Sequence, residues 1–123
     1  MATYTKTILG GSTDGKGIDV TGTATATAVT IHTGSATATT LHEIWLYAVN
    51  TDNAAAIKLT IEWGAANSAK DTIELTVQPE SGLVLVVPGL LIKGNATPLV
   101  VEAFAGTASK ISIHGYVNTI ATP

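Results

Sequence analysis

The sequence predicts an all-β fold, an antiparallel β-sandwich of jelly-roll-like character with about eight strands in one domain spanning residues 1–123. Three observations predict it. Several segments alternate apolar and polar residues with the period of a pleated strand. Turn-forming residues interrupt these segments at short intervals. No segment of useful length carries a helical period. The only run of good helix formers, Ala54-Ala55-Ala56 behind Asn53, is too short to stand as a helix.

Taken in order, Tyr4 to Leu9 is the first candidate strand. Gly10-Gly11-Ser12-Thr13-Asp14-Gly15-Lys16-Gly17 follows as a loop, because glycines permit positive φ and Asp-Gly favours a tight turn. Ile18 to Val20 is a short strand. Thr23 to His32 alternates small residues with Thr and reads as another. Leu41 to Asn50 is long and strongly apolar. Ile57 to Trp63 places Ile57, Leu59, Ile61 and Trp63 on one face and Lys58, Thr60 and Glu62 on the other, so Trp63 is expected in the core. Thr72 to Gln78 repeats the pattern. Leu83 to Val87 and Leu90 to Ile92 flank Pro88-Gly89, where proline cannot donate to a ladder and marks a bend or a sheet edge. Leu99 to Phe104 and Ile111 to Ile120 complete the set. Asp52-Asn53, Gly64, Asn67, Pro79 to Gly82, Gly94-Asn95 and Gly106 occupy the connections.

Two segments are apolar on both faces. In Ile44-Trp45-Leu46-Tyr47-Ala48-Val49, one face carries Ile44, Leu46 and Ala48, and the other carries Trp45, Tyr47 and Val49. A sandwich strand needs one apolar face, so the second is covered either by a loop of the same chain or by another chain. Leu83 to Val87 poses the same question.

Composition and motifs exclude most chemistry. Only 12% of residues are charged, the net charge is −3, and Cys is absent. All the basic residues are Lys. Without the bidentate fork of Arg, direct nucleic-acid recognition is not expected. The N-terminal residues show no signal peptide, and the apolar stretch around Leu83 to Ile92 is too short to span a bilayer, so no membrane partner is expected. Gly10 to Lys16 matches the start of a phosphate-binding loop, but Gly17 stands where the Mg²⁺-binding hydroxyl belongs and no helix follows. His32, His42 and His114 have no metal-ligand spacing. Glu43, Glu62, Glu74 and Glu102 lie on separate strands, and no nucleophile elbow is present. The expectation is a protein with no catalytic residues, no cofactor and no metal, and hence not an enzyme.

The segments His42 to Asn50, Leu59 to Gly64, Pro79 to Gly89 and Ile111 to Asn118 resemble small virion structural proteins of tailed bacteriophages, the capsid decoration or cement type. The resemblance covers most of the chain after Thr40 in strand order and style. It implies a β-sandwich that coats or stabilises a capsid, often as a trimer, contacting the major capsid protein or other virion proteins. It implies localisation in the virion, assembled in the host cytoplasm. A tail, adaptor or fibre-associated role, or a carbohydrate-binding module using Trp45, Tyr47 and Trp63, are the alternatives. The candidate interface residues are Tyr4, Ile8 and Leu9 near the N-terminus and Trp45, Tyr47 and Val49 on the second face of the long apolar strand. Residues 1–20 form either an attaching arm or an edge strand of the sandwich.

Overall fold

The computed structural model describes residues 1–64 and 69–122, so the turn expected at Asn67 lies outside the described residues. Its strands are β1 (Thr3–Ile8), β2 (Ile18–Asp19), β3 (Val29–Thr33), β4 (Thr40–Asn50), β5 (Ile57–Trp63), β6 (Thr72–Val77), β7 (Val84–Lys93), β8 (Val100–Ala105) and β9 (Ile111–Ala121). They form two antiparallel sheets. The first has the order β1-β9-β4-β7, with the short β2 also on β9; the second has the order β3-β8-β5-β6.

This order is a jelly roll. The chain runs out and doubles back, so that β1 pairs with β9, β3 with β8, β4 with β7 and β5 with β6. Wrapping that ribbon brings β9 beside β4 and β8 beside β5. Two nested Greek keys result, with β2 as a small addition to the eight-stranded pattern.

Alternation decides what each sheet buries. Ile44, Leu46 and Ala48 of β4 point inward with Ile111, Ile113 and Val117 of β9. They form one core with Ile57, Leu59 and Ile61 of β5 and Val101, Ala103 and Ala105 of β8. Gly115 of β9 lies opposite Leu46, and a Cβ there would collide with the Trp45 carbonyl oxygen. Only glycine lets the two central strands approach this closely. At the edge of the core, Asn50 is buried but fully used. Its Nδ2 donates to the carbonyls of Ala55 and Val77, and its Oδ1 accepts from the Asp52 N–H. The Asp52 carboxylate accepts from the Ala55 and Ala54 N–H groups, which hold it below the usual carboxylate range and shape this connection as a turn.

Four expectations are corrected. Thr23 to His32 is not one strand: Thr25–Thr27 is a 3-10 turn, and only Val29–Thr33 is extended. The Thr27 hydroxyl accepts from the Thr23 and Ala24 N–H groups and donates to the Ala24 carbonyl. Threonine hydroxyls thus offered the backbone a local alternative to a ladder. The turn lies against the outer side of the second sheet, where the Thr25 hydroxyl donates to Glu62 at 2.9 Å and the Glu62 side chain is buried. Secondly, the two segments around Pro88-Gly89 are one strand, β7, bent by irregular register with β4. Pro88 lies on a sheet border, where its missing donor is not needed, and Gly89 (φ +80°) takes up the extra residue. Thirdly, Trp63 packs against the core but remains half-buried, at the rim beside Gly64, Leu91 and Leu99. It ends β5, beyond the point where the other sheet can cover a ring of its size. Fourthly, Leu9 is no interface residue; it is 1% exposed. The chain turns inward directly after Ile8, held by the Ser12 N–H on the Leu9 carbonyl and the Gly11 N–H on the Ile31 carbonyl.

The segment Tyr4 to Leu9 is the edge-strand alternative rather than an unpaired arm, since Thr3–Ile8 pairs along its whole length with β9. The glycine-rich loop after it closes on Asp14 (φ +56°) and Gly15 (φ +86°), the tight Asp-Gly turn expected there.

Candidate interaction face

The outward faces of β1, β9, β4 and β7 make one continuous surface. Register places Tyr4, Lys6 and Ile8 of β1 beside Ile120, Asn118 and Tyr116 of β9. These in turn lie beside Leu41, Glu43 and Trp45 of β4, with Tyr47 and Val49 continuing the row. Leu91, Pro88 and Leu85 of β7 flank Glu43, Trp45 and Tyr47 on the far side. Five of the six expected interface residues, Tyr4, Ile8, Trp45, Tyr47 and Val49, are therefore gathered on one face, although about 40 residues separate the two groups in sequence.

The centre of this face is ordered. The Trp45 and Tyr116 rings stack with centroids 6.0 Å apart. Trp45 also lies over the Gly89 backbone, where a Cβ would meet its ring at 2.9 Å. Its indole N–H donates to Glu43 Oε1 at 2.8 Å, and Asn118 Nδ2 donates to the same oxygen at 2.7 Å. These two hydrogen bonds hold the Glu43 carboxyl below its ordinary range. Lys6 Nζ sits 4.8 Å from the Tyr116 ring centroid. Between β1 and β4, Tyr4, Lys6, Glu43, Asn118 and Ile120 line a shallow cleft of about 380 Å³.

The borders of the same sheet carry the apolar excess. Tyr4 is 74% exposed and Ile8 49% on β1, while Leu85, Leu90 and Leu91 on β7, and Leu83 just before it, are all exposed. Sequence reading missed Tyr116, Ile120 and Leu91 as members of this face. Reading the alternation of Ile111 to Ile120 from its buried partners would have found the first two. Leu91 depends on the irregular register of β7, which the residues alone do not announce.

The charged strand faces are ordinary by comparison. Lys58 and Glu74 pair at 2.7 Å with both side chains about half exposed, an arrangement that contributes little. Glu62 and Glu102 stand directly opposite each other across β5 and β8, a juxtaposition that strand assignment alone did not reveal.

The histidines also separate. His114 lies on the outer face, 3.3 Å from Ser112 Oγ. His32 and His42 instead meet between the two sheets, His32 buried and His42 half-buried, with His32 Nε2 and His42 Nδ1 2.8 Å apart, and His32 Nδ1 accepts from the Gly10 N–H at 2.9 Å. Burial, with His42 adding to it, pushes His32 down from 6.5 to about 4; burial also lowers His42. No group of three or more metal-ligating side chains forms among the described residues. No protein-family model, curated protein or solved structure matches this chain.

Proposed function

We propose that this chain is a phage virion structural protein, a capsid decoration (cement) protein that stabilises the head shell through protein–protein contacts and acts as a homotrimer. One observation carries the reading. Of the large exposed apolar residues among those described, Tyr4, Ile8, Leu83, Leu85, Leu90 and Leu91 lie on, or directly before, the two border strands of a single sheet, while Met1 at the terminus and Leu99 before β8 stand apart. A monomer gains nothing from apolar side chains on an open sheet edge, which is an aggregation hazard. A subunit packed between neighbours gains their burial together with main-chain pairing along the edge. The low charge and the Thr- and Ala-rich surface fit a protein whose faces are covered in an assembly.

The test adds purified protein to expanded shells that lack it and locates it by electron microscopy. Native mass spectrometry of the free protein reads its oligomeric state. The reading expects a trimer and regular density on the shell, both weakened by Leu85→Asp with Leu91→Asp. A strict monomer that leaves shells bare overturns it. Density on the tail instead of the head moves the protein to the adaptor or tail alternative.

A second reading has one specific observation in its favour. Tyr4, Trp45 and Tyr116 share a face with the oriented Glu43 carboxylate and Lys6, an arrangement of stacking rings and polar groups suited to a sugar. Trp63 has no part in it, because it lies at the rim of the other sheet. Binding to a glycan array that Trp45→Ala abolishes would favour this reading over the structural one.

A further inference from the structure

His32 belongs to the second sheet and His42 to the first, so their contact bridges the two layers of the sandwich. The same pair reaches the chain just after β1 through the Gly10 N–H. These contacts leave one arrangement of protons. Because His32 Nδ1 accepts from an amide, the proton of its neutral ring is on Nε2. That Nε2–H donates to His42 Nδ1, and His42 therefore carries its own proton on Nε2. An added proton has no place in this chain. On His32 it would occupy Nδ1 and face the Gly10 N–H; on His42 it would occupy Nδ1 and face the His32 Nε2–H. Either position turns a hydrogen bond into a contact between two donors.

The protein around the pair offers a cation no counter-charge, and His32 is the more deeply buried of the two rings. Opposite His42 in the ladders stand Thr119 of β9 and Ile92 of β7, and opposite His32 stands Val101 of β8. The charged neighbours along these strands, Glu43, Lys93 and Glu102, take the outward positions of the alternation. The Glu43 Oε1 oxygen is already engaged by Trp45 and Asn118. His32 is 6% exposed, so water does not replace a partner.

We propose that Gly10, His32 and His42 form an acid-labile latch, which at neutral pH holds residues 9–17 against the sandwich with both imidazoles uncharged and opens when the pair takes up one proton from solvent. The inference is independent of the function proposed above. Opening loosens the connection that seats Leu9 in the core and follows the edge strand carrying Tyr4 and Ile8. Of the other ties of this segment to the sandwich, the Gly11 N–H on the Ile31 carbonyl is a backbone bond that does not titrate, and Gly17 lies against the His114 ring at the far end of the segment.

Nuclear magnetic resonance of the full chain tests the latch. Imidazole nitrogen shifts report the tautomers at neutral pH, and amide exchange, corrected for its intrinsic pH dependence, reports opening during acidification to about pH 4. The expected result is His32 protonated on Nε2. Protection of the Gly10 and Gly11 amides should then fall by up to about tenfold per pH unit below the ordinary histidine range, ahead of the amides of β4 and β9. The His114→Gln variant, altered beside Gly17 at the far end of the segment and not at the pair, should leave the Gly10 and Gly11 response unchanged, and His42→Gln should open over a narrower pH span. An Nδ1–H tautomer on His32, protection that is unchanged to that pH, protection lost together with the whole core, or a response abolished by His114→Gln would each overturn the proposal.

Discussion

Ile8 and Leu9 are neighbours in sequence with opposite environments, and truncating each to Ala separates folding from association. Leu9 is 1% exposed within the core, whereas Ile8 is 49% exposed on the outer face of β1. Leu9→Ala removes three buried carbons, about 2.4 kcal/mol at about 0.8 kcal/mol for each. The cavity left behind adds to this, because the neighbours are fixed in two sheets and relax only in part. The total falls in the range of about 2.7–5 kcal/mol found for buried leucines. That is a large share of a domain stability of about 5–15 kcal/mol. Ile8→Ala loses a side chain already half in water and should cost no more than about 1 kcal/mol, including its strand preference. Urea denaturation at neutral pH reads both costs, with an unchanged m-value certifying that the unfolded state is comparable. Light scattering on the same samples reads association, which Ile8→Ala should weaken and Leu9→Ala should affect only through folding. An Ile8 variant as unstable as the Leu9 variant would refute the assignment of the two faces.

Three further expectations follow from particular contacts. Gly115→Ala should destabilise by about 3 kcal/mol or more, beyond ordinary overpacking, because the clash is with the Trp45 backbone and not with a side chain that can turn away; a loss below about 1 kcal/mol in the same denaturation assay would mean that the central strands can part freely. Asn50→Ala should cost about 2–4 kcal/mol by stranding the Ala55 and Val77 carbonyls and the Asp52 N–H, and Asn50→Asp should not rescue it, since a carboxylate cannot donate to carbonyls. Because the folded pKa of His32 lies below its unfolded value, the unfolded chain binds more protons as pH falls from 6.5 to about 4. Stability is therefore complete above that window and declines through it, by up to about 3 kcal/mol from this group; denaturation midpoints that stay flat across the window would contradict the neutral buried pair.

Much of the fold was legible because a strand writes its two faces into alternate residues. The β5 and β6 strands show this directly: Lys58, Thr60, Glu62, Glu74 and Thr76 declare the outer side, and Ile57, Leu59, Ile61, Ile73, Leu75 and Val77 the inner. The two-faced composition of Ile44 to Val49 likewise announced a second apolar surface before any partner strand was known. The Asp14-Gly15 turn was readable for a similar reason, since its chemistry is local. Thr23 to Thr27 was not readable, because a Thr/Ala alternation satisfies the strand period while the same hydroxyls can close a turn. The choice between them depended on a buried Glu62 some distance along the chain that could accept the Thr25 hydroxyl.

The sequence by itself determined the class of fold, the inward residues of the long strands and one half of the candidate face. Tertiary structure alone decided the rest. Winding the doubled chain into a jelly roll set β1, β9, β4 and β7 side by side, and only then did Tyr4, Tyr116, Trp45 and Leu91 share a surface. It also turned Leu9 inward one residue after Ile8 and closed the two sheets over His32 and His42. Periodicity constrains which way a side chain points within its own strand. Which strands lie next to each other is set by cooperative burial of the whole core, a property that no short window of residues contains.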